Sequence, residues 1–371
     1  MNRDPRRLVS ALSRATRTRT APPPRKDTSM RAPLRAVSSL ALGVTLAAAA
    51  GSQAAADPPS APTHASTSTS PMDHDMAGMR HGAPHATVDR SVAIQRARLE
   101  ATYFAAEMNG LNLVQAPGQP TVAGRILGDR DGRATGLVRV QGDRVTFALR
   151  WEGISAPTVA HIHAGSAEVN GPVAVSLFAT PVPATASAAS GVLTVDDPAT
   201  ADAIRADPGS FYLNLHTEEF PAGAVRGQLS ELGRPADLLG LLKNGAVEQA
   251  FLSGDQEVPA VGEPAVGDPA GRGVGFVKAR GTRVDYSFAW VGVTPTFGHL
   301  HKGRFGSDGP VVMPLFGTAV PDTIVALSGT VTGVGEALVE DLAEHPSDYY
   351  ANLHTAEFPG GAVRGQLFDR G

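Results

Sequence analysis

Residues 211–229, FYLNLHTEEFPAGAVRGQL, return 138 positions later as YYANLHTAEFPGGAVRGQL (349–367), identical at 15 of 19 positions. A block this long at one fixed offset marks an internal duplication, so the chain is two copies of one folding unit. His161, His163, Gly171, Pro172 and Leu177 find equivalents at the same offset. Val145, Phe147, Leu149 and Trp151 match Val284, Tyr286, Phe288 and Trp290 one residue further on. Each copy is about 125 residues, roughly 102–229 and 248–368, which is enough to bury its own core.

Within a copy the signals are β. Val145, Phe147, Leu149 and Trp151 alternate with Thr146, Ala148 and Arg150, a period of two that predicts a half-buried strand. Gly142-Asp143 predicts a hairpin turn after 137–140, and Pro221-Ala222-Gly223 turns 211–217 back along 224–229. Asp197-Pro198 predicts an N-cap and first turn for a short helix over 199–206, with a counterpart over 336–344. The expected fold class is all-β, two tandem β-sandwich or barrel domains with one short helix each. Residues 91–106 are read as a short helix leading into the first domain (91–229), and 230–247 as a linker with a small helical pattern.

The histidines follow the duplication. Of eleven, six form one pattern used twice: His161-Ile162-His163 with His216, and His299-Leu300-His301 with His354, the third histidine 53 residues on in each case. Strand side chains alternate between faces. Ile162, Leu213 and Leu215 therefore point one way, and His161, His163, Asn214 and His216 the other. If the aliphatics fill the core, the histidines lie outside it, with Arg226 on their side. The second copy repeats this with His299, His301, Asn352, His354 and Arg364. Histidines at i and i+2 have Cβ atoms about 6.5–7 Å apart, close enough for both rings to reach one ion at ~2 Å per bond. A third imidazole from a neighbouring strand completes a three-nitrogen site suited to Cu, Zn, Fe or Ni. Three readings stay open: a metal site in each copy, a hydrogen-bonded framework using Asn214, Thr217 and Glu219, or another ligand. Arg226 and Arg364 are expected to pair with Glu219 and Glu357, or else to attract an anion.

Four more histidines (His64, His74, His81, His85) share one stretch with Met72, Met76 and Met79. Mixed thioether and imidazole suits Cu(I) and Cu(II), so Met72, His74, Met76, Met79, His81 and His85 form an accessory candidate site in residues 57–90. This segment is too poor in bulky aliphatics to fold and is expected to be disordered; the alternative is a plain linker. From Met30, arginines precede an apolar run (38–50) and Ala54-Ala55-Ala56, the form of a secretory signal peptide too short to span a membrane. Residues 1–56 are assigned to it, with Met30 as an alternative start. Export to the cell envelope or beyond is the expectation, with no membrane span in the mature protein. A net charge of −4 argues against a nucleic-acid surface. The absence of cysteine excludes disulfides, thiolate metal sites and cysteine nucleophiles. No Ser-His-Asp set, phosphate loop or paired carboxylate stands out, and no catalytic residue is assigned.

The two copies resemble the CHRD domain, first described in chordin and present in many exported bacterial proteins. FLSGDQEVP (251–259), AHIHAG (160–165) with GHLHKG (298–303), NGPVAVSLF (170–178) with DGPVVMPLF (308–316), and the two NLHT…GAVRGQL blocks carry the likeness. It implies an all-β domain and extracellular use. The first copy departs at its start: MNGLNLVQAP (108–117) replaces SGDQEVP, and Leu113 stands where Glu257 is expected. A second, local resemblance is to Cu/Zn superoxide dismutase, through His161, His163, His216 and Arg226 and their second-copy equivalents. The expected sandwich is dismutase-like or immunoglobulin-like. No histidine lies between His163 and His216, so the bridging and zinc ligands of that family have no counterpart. The leading expectation is an exported tandem protein binding a transition metal in each copy, copper ahead of zinc. An extracytoplasmic protein-interaction module comes second and a dismutase-type redox enzyme third.

Overall fold

A computed structural model describes residues 99–115, 127–243, 248–259, 262 and 264–369. The expected signal peptide, the Met/His-rich segment and residues 91–98 of the expected leading helix lie outside the described residues.

The first copy comprises β1 (Thr102–Asn109), β2 (Arg133–Gln141), β3 (Arg144–Glu152), β4 (Val159–Ala164), β5 (Val173–Phe178), β6 (Ala186–Thr194), helix α1 (Pro198–Ala206), β7 (Phe211–His216), β8 (Val225–Gln228) and β9 (Ser230–Leu232). The second repeats it as β10 (Glu248–Ser253), β11 (Arg272–Arg280), β12 (Arg283–Val291), β13 (Phe297–Lys302), β14 (Val311–Phe316), β15 (Ile324–Thr332), α2 (Glu336–Glu344), β16 (Tyr349–His354), β17 (Val363–Gln366) and β18 (Phe368–Asp369). All the pairings between these strands are antiparallel. The all-β, two-domain architecture expected from the repeat is the one observed.

In each copy two sheets face each other. β1-β2-β3-β6 forms one and β5-β4-β7-β8 the other. They meet at one edge, where Asn109 on β1 pairs with Arg226 on β8. The core lies between them. Val145, Phe147, Leu149 and Trp151 from β3 meet Ile162 from β4 and Leu213 and Leu215 from β7, all buried. Each such side chain contributes about 1.5–3 kcal/mol by leaving water. The β2–β3 turn has Gly142 at φ 60°, the left-handed conformation a two-residue hairpin needs. Helix α1 starts as the sequence predicts: Asp197 Oδ1 accepts from the Ala199 amide at 2.9 Å and proline fills the first turn.

One expectation is corrected here. Residues 102–106 are not helical but open β1. Phe104, Ala106 and Met108 are buried in alternation, and eight consecutive residue pairs with β2 fix the strand. A short apolar run carries no helix-specific period, so tertiary pairing decides it. The linker, described over 230–243, begins as strand β9 on β1 and then makes one 3-10 turn, Leu239–Leu242. Leu238 and Leu242 pack on Ala148, Ala188 and Ala326, which come from both copies.

The copies are joined edge to edge. β6 pairs with β15, with Ala189 opposite Leu327 and Ser190 opposite Ala326, so one continuous sheet runs through both sandwiches. Pairing hides two edges that would otherwise be open to foreign strands. Reciprocal hydrogen bonds reinforce the seam: Thr185 donates to the Leu315 carbonyl and Thr323 to the Leu177 carbonyl, each at 2.7 Å. The linker clamps it from one face, where Arg150 donates to the Leu241 carbonyl and Ser328 to that of Leu242, both at 2.7 Å. Among the described residues no helix is long and apolar enough to cross a membrane.

Candidate metal centres

The register of β4 against β7 builds the first centre. His161 lies opposite Asn214, and His216 opposite Val159, so the third histidine falls diagonally across from the first on the same face. Cross-strand diagonals are within reach of long side chains. The three rings gather with centroids 5.2–6.3 Å apart, and one nitrogen from each lies within 4.8 Å of the others. β13 and β16 repeat this: His299, His301 and His354 meet the same 4.8 Å limit. The structure thus brings together all six histidines of the repeated pattern, three per copy.

They do not stand in solvent, as their position outside the core suggests. His161 and His216 are 8% and 9% exposed, and every residue of β7 is buried. The reason is a second layer. Residues 165–171 and the turn 217–223 fold over the outer face of β4 and β7, tied down by the site's own side chains. His163 Nδ1 donates to the Gly171 carbonyl (3.0 Å) and His216 Nδ1 to that of Pro221 (2.9 Å). In the second copy His301 Nδ1 donates to Gly309 and His354 Nδ1 to Pro359, both at 3.0 Å.

These bonds fix the tautomer. A carbonyl can only accept, so each Nδ1 carries the proton and each Nε2 of a neutral ring presents a lone pair. The Nε2 atoms of His163, His301 and His354 are buried without a partner, as are both ring nitrogens of His161 and Nδ1 of His299. The rings are held neutral. Burial, then the neighbouring histidines, push His161 down to about 3 and His299 to about 4. Burial likewise lowers His163, His216, His301 and His354, against the raising effect of their carbonyl bonds. Two neutral, tautomer-locked imidazoles backed by carbonyls, with a third neutral ring beside them, make in each copy a donor set that a transition metal takes.

The sequence expectation for the arginines is corrected. Neither binds Glu219 or Glu357. Arg226 is 1% exposed and donates to the carbonyls of Ser166 (2.7 Å) and Val169 (3.0 Å) and to Asn170 Oδ1 (3.2 Å). Arg364 reaches the Arg304 and Ser307 carbonyls and pairs with Asp308 at 3.4 Å. Each guanidinium also stacks on a tyrosine, Tyr212 or Tyr350, 3.5 Å from the ring centroid, and that tyrosine stacks in turn on His163 or His301. The arginines are buried clamps that hold the covering loop and, through tyrosine, one imidazole. Strand parity puts Tyr212 on the face of Asn214 and His216, but no sequence signal marks the three-layer stack.

The framework partners are split. Asn214 Nδ2 donates to His216 Nε2 at 3.2 Å. Thr217 instead accepts from the Phe220 amide to shape the turn, and Glu219 is exposed. In the second copy the corresponding amide, Asn352 Nδ2, turns to Glu257 Oε2 at 3.4 Å. Glu257 is pushed up to about 8, chiefly by burial, and its Oε1 is buried without a partner. Leu113 takes the same place in the first copy. A Cβ on Gly223 would meet Leu113 at 2.7 Å, and a Cβ on Gly361 would meet Glu257 at 2.7 Å. Met72, His74, Met76, Met79, His81 and His85 lie outside the described residues.

The donor set fits one ion per copy. Three nitrogens no more than 4.8 Å apart sit within about 2.8 Å of their midpoint, so an ion with bonds near 2.1 Å draws each inward by about 0.7 Å at most.

No curated protein matches the chain. The CHRD domain family matches it twice, over residues 104–229 and 249–367, and each match encloses one sandwich with one three-histidine cluster. The chain belongs to the CHRD domain family, which it carries as two tandem copies.

Proposed function

We propose that this is an exported metal-binding protein in which each CHRD domain holds one transition-metal ion through His161, His163 and His216, or through His299, His301 and His354. The observation that carries the reading is the set of buried imidazole nitrogens left without partners in both copies. A purely structural histidine would satisfy its nitrogens with protein groups. An unmet buried polar atom costs about 1–3 kcal/mol, and the fold repeats the arrangement twice. Metal–nitrogen bonds offset that cost. Imidazole donors without thiolate suit copper and zinc alike. Copper is favoured by Met72, His74, Met76, Met79, His81 and His85, which would capture or pass on the ion from a segment rich in thioether and imidazole. The signal-peptide form of residues 30–56 supports delivery to the periplasm, cell envelope or exterior, and cell fractionation tests it.

The decisive experiment is metal titration of the mature protein and of His216→Ala, His354→Ala and the double variant. Two tight equivalents, counted over zinc and copper together, are expected, one lost per substitution. No uptake by the folded protein would leave the second reading, a protein-interaction module with structural histidines. Deleting residues 57–90 should keep both equivalents and lower the total copper capacity. A dismutase rate no better than that of free copper is expected from the loaded protein.

A further inference from the structure

The two centres share their ligands but not their surroundings. In the second domain Glu257 enters beside Asn352, and Asp308 pairs with Arg364. In the first, Leu113 and Asn170 occupy those two positions. The guanidinium is common to both. Its immediate company is therefore two carboxyl groups in one domain and none in the other.

The asparagine responds to the difference. With no carboxylate nearby, the Asn214 amide donates to His216 Nε2, the lone pair an ion would need. With Glu257 present, the Asn352 amide points to the carboxylate and His354 Nε2 is left unpartnered. A metal entering the first centre has to break a hydrogen bond or use the other two histidines. A metal entering the second finds all three rings free of protein donors.

We propose, building on the metal-binding reading, that the centres are specialised by charge. The second domain takes a dication, Zn(II) or Cu(II), compensated by Glu257 and Asp308, and the first takes the monocation Cu(I). Burying an ion among neutral imidazoles beside an unpaired guanidinium is costly, and the cost grows with the charge of the ion. The first centre asks least of a monovalent ion. Cu(I) also tolerates two- or three-fold nitrogen ligation, so the capped His216 does not bar it. In the second centre Asp308 already neutralises the guanidinium, and Glu257 adds a carboxyl beside Asn352 that is protonated in the metal-free protein and ionises as a dication enters. Glu257 acts through the field and through Asn352. It is a positioning residue rather than a ligand, for the clustered nitrogens within 4.8 Å come from the histidines alone.

The test is titration of the full mature chain with Zn(II), and separately with Cu(I) under anaerobic conditions against a competing chelator. Wild type, His216→Ala, His354→Ala, the pair Glu257→Leu with Asp308→Asn, and the milder Glu257→Gln are compared, with circular dichroism to confirm folding. His354→Ala should lose the tight Zn(II) equivalent and His216→Ala should keep it. The double carboxylate variant should weaken Zn(II) on the order of a hundredfold and Cu(I) by less than tenfold, with Glu257→Gln in between. The reverse exchange, Leu113→Glu with Asn170→Asp, should create a second tight Zn(II) site. Equal Zn(II) affinity in the two domains, or an unchanged Zn(II) affinity in the carboxylate variants, would overturn the specialisation while leaving the metal reading intact. Failure to bind either ion would overturn both.

Discussion

The burial of His161 makes a quantitative demand on stability. Its pKa is pushed from 6.5 to about 3, first by burial and then by the charges of His216 and His163. A base with a lowered folded-state pKa is protonated first in the unfolded chain. As pH falls below 6.5 the unfolded state takes up a proton that the folded state refuses, and stability drops until the pH nears 3. The contribution is complete above about pH 7.5. By linkage, His161 alone removes about 2 kcal/mol at pH 5 and about 3 kcal/mol at pH 4, relative to pH 8. For a body of this size 2 kcal/mol corresponds to about 4–8 °C in melting temperature. The comparison is metal-free wild type against His161→Phe, which fills similar space and cannot titrate. Urea denaturation at pH 8, 6.5 and 5 gives both curves, and the wild type should lose about 2 kcal/mol more than the variant by pH 5. Other titrating groups are common to both proteins and cancel. Parallel curves between pH 8 and 5 would refute the idea that this ring is held neutral by its surroundings. Saturating Zn(II) should raise both curves at pH 8, and its benefit should shrink as protons begin to compete for the rings.

Glu257 carries the opposite sign. Its pKa is raised from 4.5 to about 8, so its contribution is complete below pH 4.5 and is lost as pH rises through 8; Glu257→Gln should therefore outlast the wild type at pH 9 and match it near pH 5, as read by thermal melting without metal. Gly191→Ala should cost about 1–3 kcal/mol or more, because the new Cβ would meet Phe147 at 2.4 Å and the Thr323 carbonyl at 2.5 Å; a melting temperature within a degree of wild type would show that the seam between copies is looser than described. Arg226→Met should cost roughly 3 kcal/mol by stranding the Ser166 and Val169 carbonyls, and should speed proteolysis within 165–171; an unchanged cleavage pattern would argue against the clamp.

Much of the fold was legible because the chain states its pattern twice. Strand parity alone placed Ile162, Leu213 and Leu215 in the core and His161, His163 and His216 together on the other face, since a period of two leaves no third option. What stayed hidden was non-local. The covering layer over the histidines comes from loops whose sequence has no periodicity, so burial of the cluster could not be read. The arginines were assigned to Glu219 and Glu357 by proximity in sequence, whereas their partners are carbonyls on a loop about 60 residues earlier. The pairing of β6 with β15 is likewise invisible, because an edge strand that meets another copy reads no differently from one that meets water. The first residues of β1 were lost to a different ambiguity. Tyr103-Phe104-Ala105-Ala106 is too short to show a period, and only its pairing with β2 settles it.

Duplication explains why the centres can diverge without losing their frame. The imidazoles are positioned by backbone register and by carbonyl bonds from Gly171, Pro221, Gly309 and Pro359, none of which depends on the identity of residue 113 or 257. That position caps the single turn after β1 or β10, Gly110–Asn112 or Gly254–Gln256, and Glu257 meets the cluster through the Asn352 amide. A leucine there offers the amide no acceptor; a glutamate redirects the amide and adds an ionisable carboxyl. One substitution at the periphery thus changes the electrostatics of the centre and the availability of one nitrogen while three ligands, two tautomers and a buried arginine stay as they were. The domain with Leu113 and the domain with Glu257 are therefore a natural experiment within one chain, and exchanging the two residues separates what the histidines do from what their surroundings dictate.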